Sequence, residues 1–504
     1  MGLLAILAQF STSFGWQSLA LLFLIAVTVT LTSYAVYNLY FHPVAKFPGP
    51  WYAGISELFY SYTIISGSAH LTLKALHDKY GEVVRVAPGE LSFCSATSWK
   101  DIYGQRKSGN VFTKDPRFLR TDETLRAPHL VSTLSVEEHN EAKKLLSHAF
   151  SPKNLLDQED TILRYVNMSM AAMTEESRKG PLDLKQWYNW VTFDVLGELC
   201  FGEPFGSVEA RKTSEWVATI LNMVIFVSYS CAISHISLSL EKFVWILSPP
   251  SVRKAALNHI TKSRAKIQAR MDRGEGPRKD FCSYIFELRE QMGLNEWHMT
   301  SYSNTLIIAG SETTATAMST LTYWLCRTPR VYEKLKQEIR GRFKTSSEIN
   351  SMAATFPYLT AVISEIMRLV PPMPFGTPRV VPEGGETVDG TWVPGGTFVS
   401  CHAYCSSRSA KYFKNPDSFD PERWLDPECT DNLSASNPFL LGWGACLGQN
   451  MAMMEMRILI AKSVFLFDFA LADEEDRSWE KMKNYILWEK PALWVRVTAR
   501  EGVC

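Results

Sequence analysis

The feature that most constrains this chain is a run of 25 residues, Trp16 to Tyr40, that carries no charge and is almost wholly apolar; the first charged residue is Lys46. As an α-helix it spans about 37 Å, enough to cross a hydrocarbon core of roughly 30 Å. A cleaved signal peptide has a shorter apolar stretch that follows basic residues and ends at a small-residue cleavage site, and this run meets none of those conditions. The expectation is one transmembrane anchor. No Lys or Arg precedes it, while Lys46, Lys74, Lys79 and Arg85 follow it, which puts the bulk of the chain on the cytosolic side. Next comes Phe41 to Pro50, whose three prolines predict an extended, stiff hinge between membrane and globule. A second uncharged run, Trp216 to Leu240, contains Asn222, His235 and serines at 228, 230, 234, 237 and 239. Such polar density is costly in lipid and predicts a buried or membrane-dipping helix pair rather than a second span.

The 504 residues balance 52 Lys plus Arg against 52 Asp plus Glu, so the chain lacks the electrostatic footprint of a nucleic-acid binder. Its 46% hydrophobic content excludes general disorder. Ten scattered cysteines without a C-x-x-C pair suit neither a zinc site nor a disulfide framework, and they point to a reducing compartment. Periodicity predicts helices over Ser135–Phe150, Trp187–Phe201, Asp280–Met292, Ser301–Cys326, Pro329–Arg342, Tyr358–Leu369 and Gln449–Phe467. Strands are expected at Glu82–Val86 and Glu90–Phe93, as a hairpin around Pro88-Gly89, and at Thr397–Ser400 and Leu493–Thr498. With no repeat and no long linker, the reading is a mainly α chain with small β-sheets: anchor 1–40, hinge 41–50 and one large domain 51–504.

The most specific stretch is Asn437 to Asn450, a glycine-punctuated loop that delivers Cys446 to the start of a helix. A thiolate there meets the helix's positive end and free backbone N–H groups, while Gly442, Gly444 and Gly448 let the backbone turn sharply under a flat ligand. That chemistry suits a thiolate on haem iron. A buried structural Cys is the plain alternative. A dinucleotide loop is excluded because Gly is missing at 447 and no strand-helix-strand unit surrounds it.

Phe439-x-x-Gly442-x-x-x-Cys446-x-Gly448 resembles the haem-binding signature of the cytochrome P-450 family, the haem-thiolate monooxygenases. Three further motifs of that family follow the same resemblance: Ala309-Gly-Ser-Glu-Thr-Thr314 on the oxygen-side helix, Glu365-Ile-Met-Arg368, and Pro421-Glu-Arg-Trp424. Pro43 to Pro50 resembles the family's proline hinge, and Leu146-Ser-His-Ala-Phe150 and Phe201-Gly-Glu-Pro-Phe205 look most like filamentous-fungal members. E-x-x-R pairs also occur elsewhere in this chain, for example Glu82 with Arg85 and Glu123 with Arg126. The apolar helix around Glu365 and Arg368, ended by Pro371-Pro372, singles that pair out.

The resemblance implies a cytochrome P-450 fold behind one N-terminal transmembrane helix, and haem b with Cys446 as the iron ligand. It makes Phe439, Gly448 and Ala309 its neighbours, Lys143 and Arg379 its propionate partners, Thr313 and Glu312 the proton relay, and Glu365, Arg368 and Arg423 a buried charge network. It further implies a bilayer, NADPH-cytochrome P-450 reductase and an apolar small molecule as partners, in the endoplasmic reticulum membrane. The substrate expected of fungal members is a secondary metabolite. Pocket walls are expected from Asn110–Thr133, Trp216–Leu240, the Ala309 face and Pro374–Thr377. Two departures stand out. Gly444 occupies the place where the family usually has a propionate-binding Arg, and His139 and Lys143 stand where it commonly has Trp and Arg. Arg at 444 is expected to restore a missing cation. A haem-poor relative acting as a binding or regulatory membrane protein, and a haem-thiolate isomerase or dehydratase that does not use O₂, are the alternatives; retained Thr313 and Cys446 count against them.

Overall fold

The computed structural model describes residues 16–106, 109–118, 127–274 and 280–502, with the side chains of Glu241 and Lys242 left aside. The helices that build the site are α1 (Trp16–Val36), α2 (Leu58–Ile65), α3 (Val136–Ser147), α4 (Leu184–Phe201), α5 (Glu215–Ile236), α6 (Leu238–Leu247), α7 (Glu296–Arg327), α8 (Pro357–Leu369) and α9 (Gln449–Leu466). Their starts follow from local chemistry. Ser135 Oγ accepts the Glu138 N–H ahead of α3, and Asn295 Oδ1 accepts those of Trp297 and His298, so α7 begins five residues before the periodicity predicts. Gly202, at φ 71°, ends α4 in the left-handed conformation. Two long helices outside the expected windows, Pro152–Glu176 and Pro250–Asp272, each carry a proline in the first turn.

The principal sheet joins β1 (Val83–Ala87), β2 (Glu90–Phe93), β3 (Thr113–Lys114), β4 (Arg379–Val380) and β5 (Phe398–Cys401) in the order β1-β2-β5-β4-β3. β2 runs parallel to β5, with Leu91 opposite Val399, and β3 pairs antiparallel with β4, so that Lys114 faces Arg379. The largest apolar core lies between α4, α7, α8 and α9, where Phe193, Met318, Ile363 and Leu459 are all fully enclosed.

α1 continues as a π-helical turn to Phe41, and this apolar stretch is not buried by the protein, as a membrane helix requires. The hinge differs from its expectation. It turns back onto the globule, burying Val44 and Phe47 beside Leu91 and Val399, and the Arg85 N–H donates to Pro48 O at 2.7 Å. The prolines of 41–50 therefore fix a docked turn instead of a free spacer. The second apolar run forms the expected helix pair, α5 and α6, broken at Ser237, whose hydroxyl accepts the Ser239 N–H. Val217, Ile220 and Cys231 of α5 are buried, whereas Leu240, Phe243, Ile246 and Leu247 of α6 face outward.

Candidate active site

Between α7 and the Cys446 loop lies a cavity of about 630 Å³, roofed by Ile220, Met223 and Val227 of α5. Its floor is the loop that ends at α9. Gly442 has φ 63°, and a Cβ there would fall 1.9 Å from Tyr103 O, so only glycine permits this approach. The Cys446 N–H donates to Phe439 O at 2.8 Å, closing the loop on itself. The thiol is the exposed one among the described cysteines, and it opens onto the cavity. Burial in the surrounding protein raises its pKa, opposed by the Gly448 and Gln449 N–H groups and by the Lys143 charge. An anionic sulfur thus has donors already aimed at it. Phe439 and Gly448 line the same floor.

Opposite the sulfur, Ala309 and Thr313 present the cavity face of α7. The Thr313 hydroxyl donates to Ala309 O at 2.5 Å. Gly310 does more than leave room beside a flat ligand: a Cβ there would stand 3.2 Å from Leu196, so this glycine also sets the close approach of α7 to α4. Glu312 is placed otherwise than a direct relay requires. Its carboxylate leaves the cavity lining and pairs with Lys490 Nζ at 2.7 Å, both side chains being almost fully enclosed. Lys490 also donates to Asn189 Oδ1 at 3.2 Å, while Glu312 Oε2 has no hydrogen-bond partner. A lone lysine after the apolar stretch Tyr485–Trp488 was the only sequence signal for this pair.

At one edge of the cavity three cations gather around Trp443. Lys143 Nζ donates to Trp443 O at 2.8 Å and Ala445 O at 2.6 Å, and Lys114 Nζ lies 5.4 Å from the centre of the Trp443 ring. The Arg379 guanidinium stacks 4.8 Å from the same ring, and its Nε is buried without a partner. His139 Nε2 contacts Trp443 O at 3.2 Å. Among the described residues no carboxylate forms an ion pair with any of the three cations. Burial, and then the neighbouring charges of Arg379 and Lys143, push Lys114 down to about 7; burial holds Arg379 at about 10. Lys114, expected only as part of the pocket wall, is a third cation at this edge. A Cβ at Gly444 would stand 2.5 Å from Arg379 Nη2, so Arg379 already fills the place of the absent side chain. The Arg379 guanidinium thus stands at the position where the expectation at Gly444 had a cation missing. An orphaned guanidinium nitrogen and three cations without a counter-anion fit a ligand that brings carboxylates, as haem does with its propionates.

Below the loop, Glu365 and Arg368 are wholly enclosed. Arg368 donates to both Glu365 oxygens, at 2.9 and 2.8 Å, and to the carbonyls of Ser407, Pro416 and Ser418. Arg423 Nε donates to Glu365 Oε1 at 3.1 Å. Two members were not foreseen: Trp424 Nε1 donates to Glu365 Oε2 at 2.9 Å, and Asp431 pairs with Arg423. Every buried charge is matched, and the network ties α8 to residues 416–431.

The cytochrome P-450 family profile matches residues 48–495. A cytochrome P-450 monooxygenase of Aspergillus oryzae, astJ, is 37% identical over 474 residues, covering 92% of this chain and 94% of its own length. The aba2 and BOA3 cytochrome P-450 monooxygenases of Botryotinia fuckeliana are each 36% identical, covering 94% and 97% of this chain and 93% and 97% of their own lengths.

Proposed function

The chain belongs to the cytochrome P-450 family of haem-thiolate monooxygenases, and on that premise we propose that it holds haem b on Cys446 and oxidises an apolar small molecule, as expected of a fungal secondary-metabolism member, at the end of α7. Bound there, haem supplies the activation of O₂ with two electrons, one oxygen atom entering a C–H or C=C bond and the other leaving as water. The observation that carries the reading is the Cys446 thiol on the cavity floor, facing Ala309 and Thr313 across the space and flanked by cations that lack an anion.

Each protein group then has a task. The Gly448 and Gln449 N–H groups favour the Cys446 thiolate and restrain the sulfur. Lys143, Arg379 and Lys114 would pair with the propionates and so hold the group at this edge of the cavity. Thr313 Oγ1 would turn from Ala309 O toward the cavity and donate a proton there. Glu312, held against Lys490, would first take a proton from the Lys490 ammonium or from water and then pass it on toward Thr313. Apolar lining from Ile220, Val227 and Phe375 excludes water and selects substrate by shape.

Electrons come from NADPH-cytochrome P-450 reductase. α1 anchors the chain in the endoplasmic reticulum membrane with the domain 51–504 in the cytosol, and the outward apolar face of α6, with Phe243 and Ile246, rests in the interface beside it. Retention of Thr313 favours oxygen insertion over rearrangement or dehydration. Reconstitution of the full chain with reductase, NADPH and a panel of apolar terpenoids and polyketides tests the reading. NADPH-dependent gain of one oxygen, lost in Cys446→Ala, supports it; haem-loaded protein that transforms substrate without O₂ contradicts it.

A further inference from the structure

Away from the haem site, three side chains from three different elements converge at the edge of the sheet: Glu57 at the start of α2, Glu90 at the start of β2 and His235 in the last turn of α5. One ligand atom from each lies within 4.8 Å of the others. Glu90 and His235 are at most 5% exposed, and Glu57 Oε2, Glu90 Oε1 and His235 Nδ1 are all buried without a hydrogen-bond partner. His235 Nδ1 approaches Glu90 Oε2 to 3.4 Å, the distance of an ion pair when the imidazole is protonated, and Tyr60 packs edge-on to the imidazole.

The surrounding charge does not satisfy these atoms. Arg117 is spent largely on Asp115, to which its Nε and Nη2 both donate, and it reaches Glu90 at Oε2 alone, at 2.8 Å, the oxygen His235 also approaches. Arg85, the other nearby guanidinium, donates to the carbonyls of Pro88 and Asn38. Three carboxylates, Glu57, Glu90 and Asp115, thus share two guanidiniums, and the third positive charge falls to the His235 imidazole, either as a proton or as a metal ion in its place. The strain appears in Glu57, which burial and then the Glu90 charge push up to about 7, whereas Arg117 and His235 hold Glu90 at about 2 against its burial.

We propose that Glu57, Glu90 and His235 form a site for a divalent transition ion of the zinc type, with Glu57 Oε2, Glu90 Oε1 and His235 Nδ1 as ligands and water completing the shell. One imidazole and two carboxylates are a donor set that zinc accepts, with bonds of about 2.0–2.2 Å. The ion ties the roof helix α5, whose Val227 and Cys231 line the cavity, to β2 and to α2 beside the membrane anchor. It therefore acts as a clasp that holds the roof down and slows exchange of the cavity's contents.

The test uses the haem-loaded full chain in detergent, cleared with chelator and dialysed against ZnCl₂. About one zinc per haem is expected to survive gel filtration and to raise the thermal midpoint, and Glu57→Gln and His235→Asn are expected to lose both effects while keeping the carbon monoxide spectrum. Equal zinc in wild type and both variants overturns the proposal. So does a Glu57→Gln protein that, without zinc, is as stabilised as zinc-loaded wild type, because the missing cation is then a proton. Should the variants fail to fold, X-ray absorption at the zinc edge of the wild type decides: nitrogen and oxygen neighbours at about 2.0 Å support the site, and a sulfur-containing shell contradicts it by locating the ion on free cysteines.

Discussion

Lys114 and Arg379 stand directly opposite each other across β3 and β4, two cations in a register where like charges repel, and both lie against the ring of Trp443. Such a pair is stable only when an anion joins it. Haem binding should therefore draw a proton onto Lys114, whose pKa of about 7 in the absence of that anion leaves it half neutral at pH 7. A ligand that takes up a proton binds less tightly as pH rises. The rate of haem transfer to an apomyoglobin acceptor is expected to increase from pH 7 to pH 9 in the wild type and to lose most of that dependence in Lys114→Met.

The same geometry bears on Gly444. An arginine introduced there must displace the Arg379 guanidinium, so Gly444→Arg exchanges one cation for another. Haem retention is expected to stay within about twofold of wild type, since the net charge against the propionates changes little. A large gain measured by the same transfer assay would show that Arg379 does not serve the site.

Thr313→Ala removes the hydroxyl at the cavity face and leaves Cys446 untouched. The carbon monoxide spectrum should persist while product formed per NADPH consumed falls, toward the roughly 100-fold scale of one proton-transfer group. Full coupling in this variant would assign the proton to another group.

Lys490→Met strands the buried Glu312 carboxylate, and Glu365→Ala strands Arg368 and Arg423. Each is expected to cost about 3–5 kcal/mol, the cost of leaving a buried charge unpaired. Thermal unfolding followed by far-ultraviolet circular dichroism measures it. The two should differ in kind: Glu365→Ala loosens the segment below the Cys446 loop and loses haem, while Lys490→Met keeps it.

How much of this was legible in the sequence varies with the range of the interaction. The Cys446 loop, the Glu365–Arg368 pair and the strands at Glu90 and Phe398 announce themselves locally, through glycine spacing, an i,i+3 relation and alternation. The Lys114–Arg379 pairing joins residues more than 250 positions apart through strands of two residues each, too short for a periodic signal. Lys490 likewise meets Glu312 only through the tertiary fold. Glu312 illustrates the limit of motif reading, because its neighbour Thr313 faces the cavity while helical geometry turns Glu312 about 100° away. The hinge misled for a related reason: its prolines indicate stiffness, but Val44 and Phe47 decide where the stiff segment lies.

The central claim, a haem iron held by Cys446, is tested most directly by the difference spectrum of the reduced full chain with and without carbon monoxide, in wild type and Cys446→Ala. The account predicts a strongly red-shifted Soret band in the wild type that is absent from the variant. A folded wild type without that band, or a variant that keeps it, would contradict the assignment.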